Sequence, residues 1–258
     1  MVVLNDRQKQ ILGLLNQTGE IHLNGLKDRF SDFSVMTLRR DLSYLESKGY
    51  LVRTHGGAIS REKLRRDGEE DAYAMRSGEN KEAKAAIAKK ALAFVERGRS
   101  IYLDAGSTIM ELAKLLKDEP FTVITSALNT ALELMRSPRI SVFLPGGLVN
   151  PNTLSCSGLS SLEVLSRVNI DLAFMSASGF SMDRGFTVSN MNECELKKNI
   201  IKKANKVYLL MDTSKLNKDL AFTFADLDDI DYFICEDPTW MESKGIKDIL
   251  LEKDIIVM

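Results

Sequence analysis

Histidine is almost missing from the chain: His22 and His55 are the only two in 258 residues. A histidine-based triad or a zinc site of ordinary composition has little material to draw on. Cysteine is as sparse. Cys156, Cys194 and Cys235 are odd in number and far apart, which fits neither a disulfide framework nor a metal-ligand set. They read as small buried hydrophobes. No apolar run approaches the roughly 18 residues of a membrane span, and the start, MVVLNDRQKQ, lacks the basic-then-apolar order of a leader. A cytoplasmic protein without a membrane partner is expected. Prolines number only five and hydrophobic residues make up 44%, so most of the chain should fold.

What is present is unevenly spread. Net charge is -1, yet by Arg66 the chain holds twelve Lys and Arg against seven Asp and Glu. The front is basic and the remainder acidic, as expected if only the front meets a polyanion. The length suits a small domain followed by a medium one.

In the front part, Ile11, Leu12, Leu14 and Leu15 stripe a short helix from about Asp6 to Asn16, ended near Gly19. A second helix carries Leu23, Leu26 and Phe30. After the turn Ser31-Asp32-Phe33, Ser34 is placed to cap a third, whose buried stripe is Leu38, Leu42 and Leu45 and whose end is Gly49. At about 100° per residue, Thr37, Arg40 and Tyr44 fall on the opposite face, with Arg39 beside them. Tyr50-Leu51-Val52-Arg53-Thr54 then has strand composition and runs into the hairpin signal His55-Gly56-Gly57-Ala58. Three helices and a hairpin make a winged helix-turn-helix, whose third helix can enter the major groove of double-stranded operator DNA. Arginine there can reach guanine or phosphate, and the wing brings Arg53 or His55 to the backbone. The plainer reading is a solvated Arg39-Arg40 face paired with Asp41 or Glu46.

Residues 61–78, REKLRRDGEEDAYAMRSG, are dense in charge and read as a linker between a 1–60 DNA-binding domain and a 79–258 domain. Beyond it, helical patterns alternate with short apolar strands at Ile101, Phe121, Ile140, Asp171, Lys206 and Asp231, which implies an α/β domain with a largely parallel sheet. Ligands of such sheets sit at the carboxyl ends of strands. Four loops fall there. Asp104-Ala105-Gly106-Ser107-Thr108 opens a helix running from Ile109 to Leu116, so its amides can hold a phosphate, although Thr108 to Glu111 also fits a capping box. Thr125-Ser126-Ala127 offers hydroxyls, and Pro145-Gly146-Gly147 a backbone open to close approach, or simple turn chemistry. Asp212-Thr213-Ser214-Lys215 adds a cation, and Lys197 lies on the preceding helix. A lysine in such a place is more often solvated, but two beside a phosphate cradle favour an anionic ligand.

Ser34 through Ala58, SVMTLRRDLSYLESKGYLVRTHGGA, resembles the amino-terminal signature of the DeoR family of bacterial transcriptional regulators. DAGST, LPGG, DLAFMSASGF, NECELKK and MDTSK resemble that family's effector domain, in the same order. The turn from Phe30 to Ser34 is one residue longer than the common form, Thr125-Ser126-Ala127 replaces TNS, and Met175-Ser176 stands where a glycine is common. The resemblance implies a carboxy-terminal α/β domain similar to ribose-5-phosphate isomerase and coenzyme A transferase folds, here sensing a phosphorylated sugar. Implied DNA contacts are Ser34, Met36, Thr37, Arg39, Arg40, Tyr44, Arg53 and His55. Implied effector contacts are Asp104, Gly106, Ser107, Thr108, Thr125, Ser126, Gly146, Gly147, Lys197 and Lys215.

Aldose-ketose isomerisation needs positioned carboxylates, and Ser176-Ala177-Ser178-Gly179 supplies none. Glu193 and Glu195 have an ordinary role as intrahelical partners of Lys197 and Lys198. A serine hydrolase is excluded because neither SASG nor SCSG matches G-x-S-x-G. The expectation is a non-enzymatic repressor of a carbohydrate-utilisation operon, without metal or cofactor, acting as a homodimer or homotetramer. The competing readings are a sugar-phosphate isomerase with an appended DNA-binding domain, and a DNA-binding protein whose larger domain only assembles.

Overall fold

A computed structural model of the chain describes residues 4–54, 56–60, 73–237, 239, 256 and 257. His55 and residues 61–72 of the expected linker lie outside them. The chain divides into two units, Met1–Asp71 and Ala72–Met258.

In the first unit, helix α1 (Asp6–Thr18) begins at Asn5, whose side chain accepts from Gln8 N while Gln8 Oε1 accepts from Asn5 N. This reciprocal cap satisfies two otherwise orphaned donors. Strand β1 (Glu20–His22) and helix α2 (Leu23–Arg29) follow, then α3 (Val35–Ser47), capped by Ser34 Oγ accepting from Thr37 N at 3.1 Å. Strands β2 (Val52–Thr54) and β3 (Gly57–Ile59) form the hairpin. The expected leucine stripe is buried: Leu38, Leu42 and Leu45 meet Ile11, Leu15, Leu26 and Leu51 in one core. Sequence patterning missed β1, which pairs with β3 and makes the wing a three-stranded sheet ordered β1-β3-β2. Three residues with an exposed, half-buried, exposed pattern are too short to show a period.

The second unit opens with the one-turn helix α4 (Tyr73–Arg76) and α5 (Lys81–Leu92). Strands β4 (Ser100–Leu103), β5 (Phe121–Thr125) and β6 (Ile140–Phe143) alternate with helices α6 (Ser107–Leu115) and α7 (Leu128–Leu134). A short hairpin, β7 (Leu148–Asn150) and β8 (Ser155–Ser157), leads to α8 (Leu159–Leu165) and the long strand β9 (Ile170–Ser176). Strands β10 (Gly179–Ser181) and β11 (Gly185–Val188) precede helix α9 (Met191–Lys203) and strand β12 (Ala204–Leu210). Strand β13 (Phe222–Ala225), strand β14 (Tyr232–Ile234) and the terminal pair β15 (Ile256–Val257) complete the chain order.

Seven strands form one parallel sheet, ordered β15-β14-β12-β9-β4-β5-β6. All six strands expected from the sequence belong to it. Apolar residues on both faces explain why they read as continuous runs: Ala173 and Met175 of β9 face one core, Leu172 and Phe174 the other. After β4 the chain builds towards β6, and after β9 towards β15, so the order reverses between β4 and β9. The loops after these two strands therefore flank the crevice where sheets of this kind take ligands.

Candidate DNA-reading and anion-binding sites

On α3, burial of Leu38, Leu42 and Leu45 turns Met36, Arg39, Arg40 and Tyr44 outward, with Thr37 half-buried. Met36 is 61% exposed and gives the face an apolar surface beside the guanidinium groups. The acids suspected of pairing with those arginines are committed elsewhere. Asp41 points inward and takes Arg7 Nε at 2.5 Å and Gln8 Nε2 at 3.0 Å. Glu46 takes Arg53 Nε at 2.7 Å and Arg53 N at 2.9 Å. Burial alone would raise the Glu46 carboxyl, but these Arg53 bonds hold it below its ordinary value. Among the described residues, Arg39 and Arg40 make no ion pair. Arg53, the expected contact from the wing, is half-exposed and paired with Glu46. The long turn before α3 is closed by Lys27, whose Nζ donates to Ser31 O at 2.6 Å and Phe33 O at 3.1 Å.

In the second unit, a small cleft lies at the carboxyl end of β4 and is lined by Arg76, Lys84, Gly106, Ser107, Thr108, Ser176, Ala177, Met211, Asp212 and Lys215. Its floor is the start of α6, whose first amides have no intrahelical acceptor and whose dipole favours negative charge. The capping box suggested by Thr108 and Glu111 does not form: the helix begins earlier, its cap is Gly106, and no side chain caps it. A Cβ at Gly106 would lie 2.6 Å from Ser176 Oγ, so a larger residue there would have to displace that hydroxyl from Asp104 and Ala105 O. Cations reach the cleft from three separate segments: Arg76 from α4, Lys84 from α5, and Lys215 from the 3-10 turn Thr213–Lys215.

Lys84 was not legible as a site residue in an alanine-rich helix. It is 3% exposed, and its ammonium donates to Arg76 O and, at 2.7 Å, to Glu79 O. Burial pushes its pKa down; Asp212 opposes that and Lys215 adds to it. Asp212 is held in turn, accepting from Ser214 N at 3.1 Å, from Ser214 Oγ, and from Asn80 Nδ2 at 3.1 Å.

Other expected contacts lie behind the cleft or away from it. Lys197 and Asp104, each 1% exposed, form a buried ion pair. Asp104 Oδ2 also accepts from Ser176 N at 2.9 Å, and Lys197 donates to Ser176 O at 2.9 Å and stacks over Phe224 at 5.1 Å. Glu193 is the expected intrahelical partner, 3.6 Å from Lys197. The pair thus braces the β9 loop against the β4 loop. Thr125 and Ser126 are fully enclosed, with Ser126 Oγ accepting from Tyr102 Oη at 3.1 Å. Gly146 O accepts from Ser161 Oγ at 2.5 Å. Gly147 has φ +119°, and a Cβ there would lie 2.6 Å from Ser157 O, so this glycine admits a neighbouring segment; a Cβ at Gly146 would meet nothing within 4 Å. Of the expected effector residues, Gly106, Ser107, Thr108 and Lys215 line the cleft.

Residues 7–63 match the DeoR-like helix-turn-helix domain, and residues 79–237 the DeoR C terminal sensor domain. The HTH-type transcriptional regulator GolR of Listeria innocua is 38% identical, with 90% of either chain covered. The L-fucose operon activator of Haemophilus influenzae is 34% identical over 88% of this chain and 90% of that one. The putative aga operon transcriptional repressor of Escherichia coli O157:H7 is 26% identical over 90% and 86%. Among solved structures, ribose 5-phosphate isomerase A from Methanocaldococcus jannaschii superposes with TM-score 0.40 and 20% identity over 53% of this chain and 55% of that one. With a DNA-reading unit and a sensor unit matched in tandem, and a relative spanning nine-tenths of its length, the chain belongs to the DeoR family of transcriptional regulators.

Proposed function

We propose that the chain represses a carbohydrate-utilisation operon, reading operator DNA through α3 and binding a phosphorylated sugar in the cleft beside α6. One observation carries the effector reading: three cations from separate segments converge on a helix amino terminus that no side chain caps. Such a site suits a dianionic phosphate group. On the DNA side, Met36, Thr37, Arg39, Arg40 and Tyr44 are the candidate contacts, with Ser34 placing the helix start at the phosphate backbone. A single headpiece makes few contacts, so two copies joined through the larger unit would engage two half-sites.

Catalysis is the weaker reading for a geometric reason. A carboxylate that moves a proton must be free to meet it. Asp104 is locked by Lys197 and Ser176, and Asp212 by Ser214 and Asn80. The test is a thermal-shift panel of pentose, hexose and polyol phosphates with free sugars as controls, run beside an isomerisation assay. Stabilisation by phosphorylated compounds only, without turnover, is expected. Turnover, or equal shifts with free sugars, would sink the proposal.

A further inference from the structure

Met36 is an apolar side chain that packing does not explain. It is 61% exposed and lies outside the core formed by α1 to α3 and the hairpin. Its neighbours at the start of α3 are engaged. Thr37 Oγ1 is bonded to Ser34 Oγ at 3.0 Å, and the Phe33 ring lies 4.1 Å from the Arg7 guanidinium carbon. At about 100° per residue, Met36, Arg40, Ser43 and Ser47 form one stripe opposite buried Leu38, Leu42 and Leu45, and all four are exposed. Arg39 flanks this stripe on one side. Tyr44 flanks it on the other, with Lys48 Nζ 5.6 Å from its ring.

The chemistry of the stripe narrows what can lie against it. A thioether offers a base edge no donor and only a weak acceptor. The apolar group that the major groove presents is the thymine methyl, and an arginine donates two bonds to guanine there. Arg40, without an ion pair among the described residues, is free to do so. With Arg39 and Arg40 beside Met36, the occupant must be anionic and also carry an apolar group, as DNA does. We infer that Met36 reads a thymine methyl within two base steps of a guanine read by Arg40. This rests on the reading of α3 as the DNA-reading helix. The spacing follows from geometry: residues four apart on a helix are separated by about 6 Å along its axis, and base pairs by about 3.4 Å along the duplex.

The probe is a duplex selected by the full-length protein from a random-sequence library. Each thymine is replaced in turn by deoxyuridine, which lacks only the methyl, and each guanine by its 7-deaza analogue, which lacks the N7 acceptor. Affinities are read by fluorescence anisotropy at one fixed salt concentration. One thymine in each half-site is expected to bind about fourfold more weakly without its methyl, the transfer free energy of one buried carbon. Met36→Ala should bind the thymine duplex about as weakly as the unsubstituted protein binds the uracil one, with no further loss at that position. Met36→Leu should restore the difference. The guanine whose 7-deaza effect vanishes in Arg40→Ala should lie within two steps of that thymine. If Arg40→Ala weakens binding but no thymine is sensitive to uracil, or the sensitivity survives Met36→Ala, the inference is overturned and α3 remains the DNA-reading helix. A guanine more than two steps away overturns it as well. A protein that enriches no duplex, or whose Arg40→Ala variant binds as tightly, would overturn both readings.

Discussion

Lys197 and Lys215 look equivalent in the sequence, each a lysine near a sheet edge, and the fold gives them opposite tasks. Lys197 is sealed against Asp104, so Lys197→Met should leave a buried carboxylate uncompensated and cost roughly 3–5 kcal/mol in chemical unfolding. Lys215 is half-buried at the cleft, and Lys215→Ala should weaken phosphate binding about tenfold or more with little loss of stability and unchanged operator affinity. Lys84 adds a pH dependence. Its pKa is depressed by burial, so it sheds its proton below the pH at which an ordinary lysine would. A protonated Lys84 attracts the anion and a neutral one does not; phosphate affinity should therefore fall as pH rises through that depressed pKa. Calorimetric titration across alkaline pH would show the fall, and Lys84→Arg should shift it upward or abolish it. None of this was readable from spacing, because an alanine-rich helix gives no sign of which lysine faces inward. The Gly106-Ser107-Thr108 loop was readable, since glycine and hydroxyls at a strand-to-helix junction are a local pattern.

At the scale of elements, α3 is the most legible part of the chain, because cap, stripe and closing glycine all lie within 16 residues of one another. What its sequence left open was whether Asp41 or Glu46 neutralised the arginines; only the packing of α1 and the wing shows that Arg7 and Arg53 take those acids. Arg40→Ala is accordingly expected to weaken operator binding by about 1–3 kcal/mol while leaving the melting temperature unmoved. A fluorescence-anisotropy titration checks it, and an unchanged affinity would remove Arg40 from the interface. Ser34→Ala should cost about 1 kcal/mol of stability in the first unit through loss of the helix cap. Long apolar strands such as β9 and β12 announced themselves. The three-residue strands β1, β7, β8 and β10 did not, because their existence depends on partners distant in sequence.

For the whole molecule, the two units have separate cores, that of α1 to α3 and the pair flanking the seven-stranded sheet. A ligand of the cleft stabilises only the unit that binds it. Calorimetry with phosphate at 100 times its dissociation constant should raise the larger unit's transition by about 2.7 kcal/mol and leave the smaller unit's in place. A shift of equal size in both would show that the units unfold together. The Asp104–Lys197 pair has a further consequence on a longer timescale. Its members are 93 positions apart; losing Lys197 alone strands the Asp104 charge in the interior, and losing Asp104 alone leaves Lys197 with only the longer contact to Glu193. A lineage that drifts at one position passes through a destabilised intermediate unless the other changes with it. Among descendants of this fold, the two sites should be inherited as a unit, both charged or both replaced.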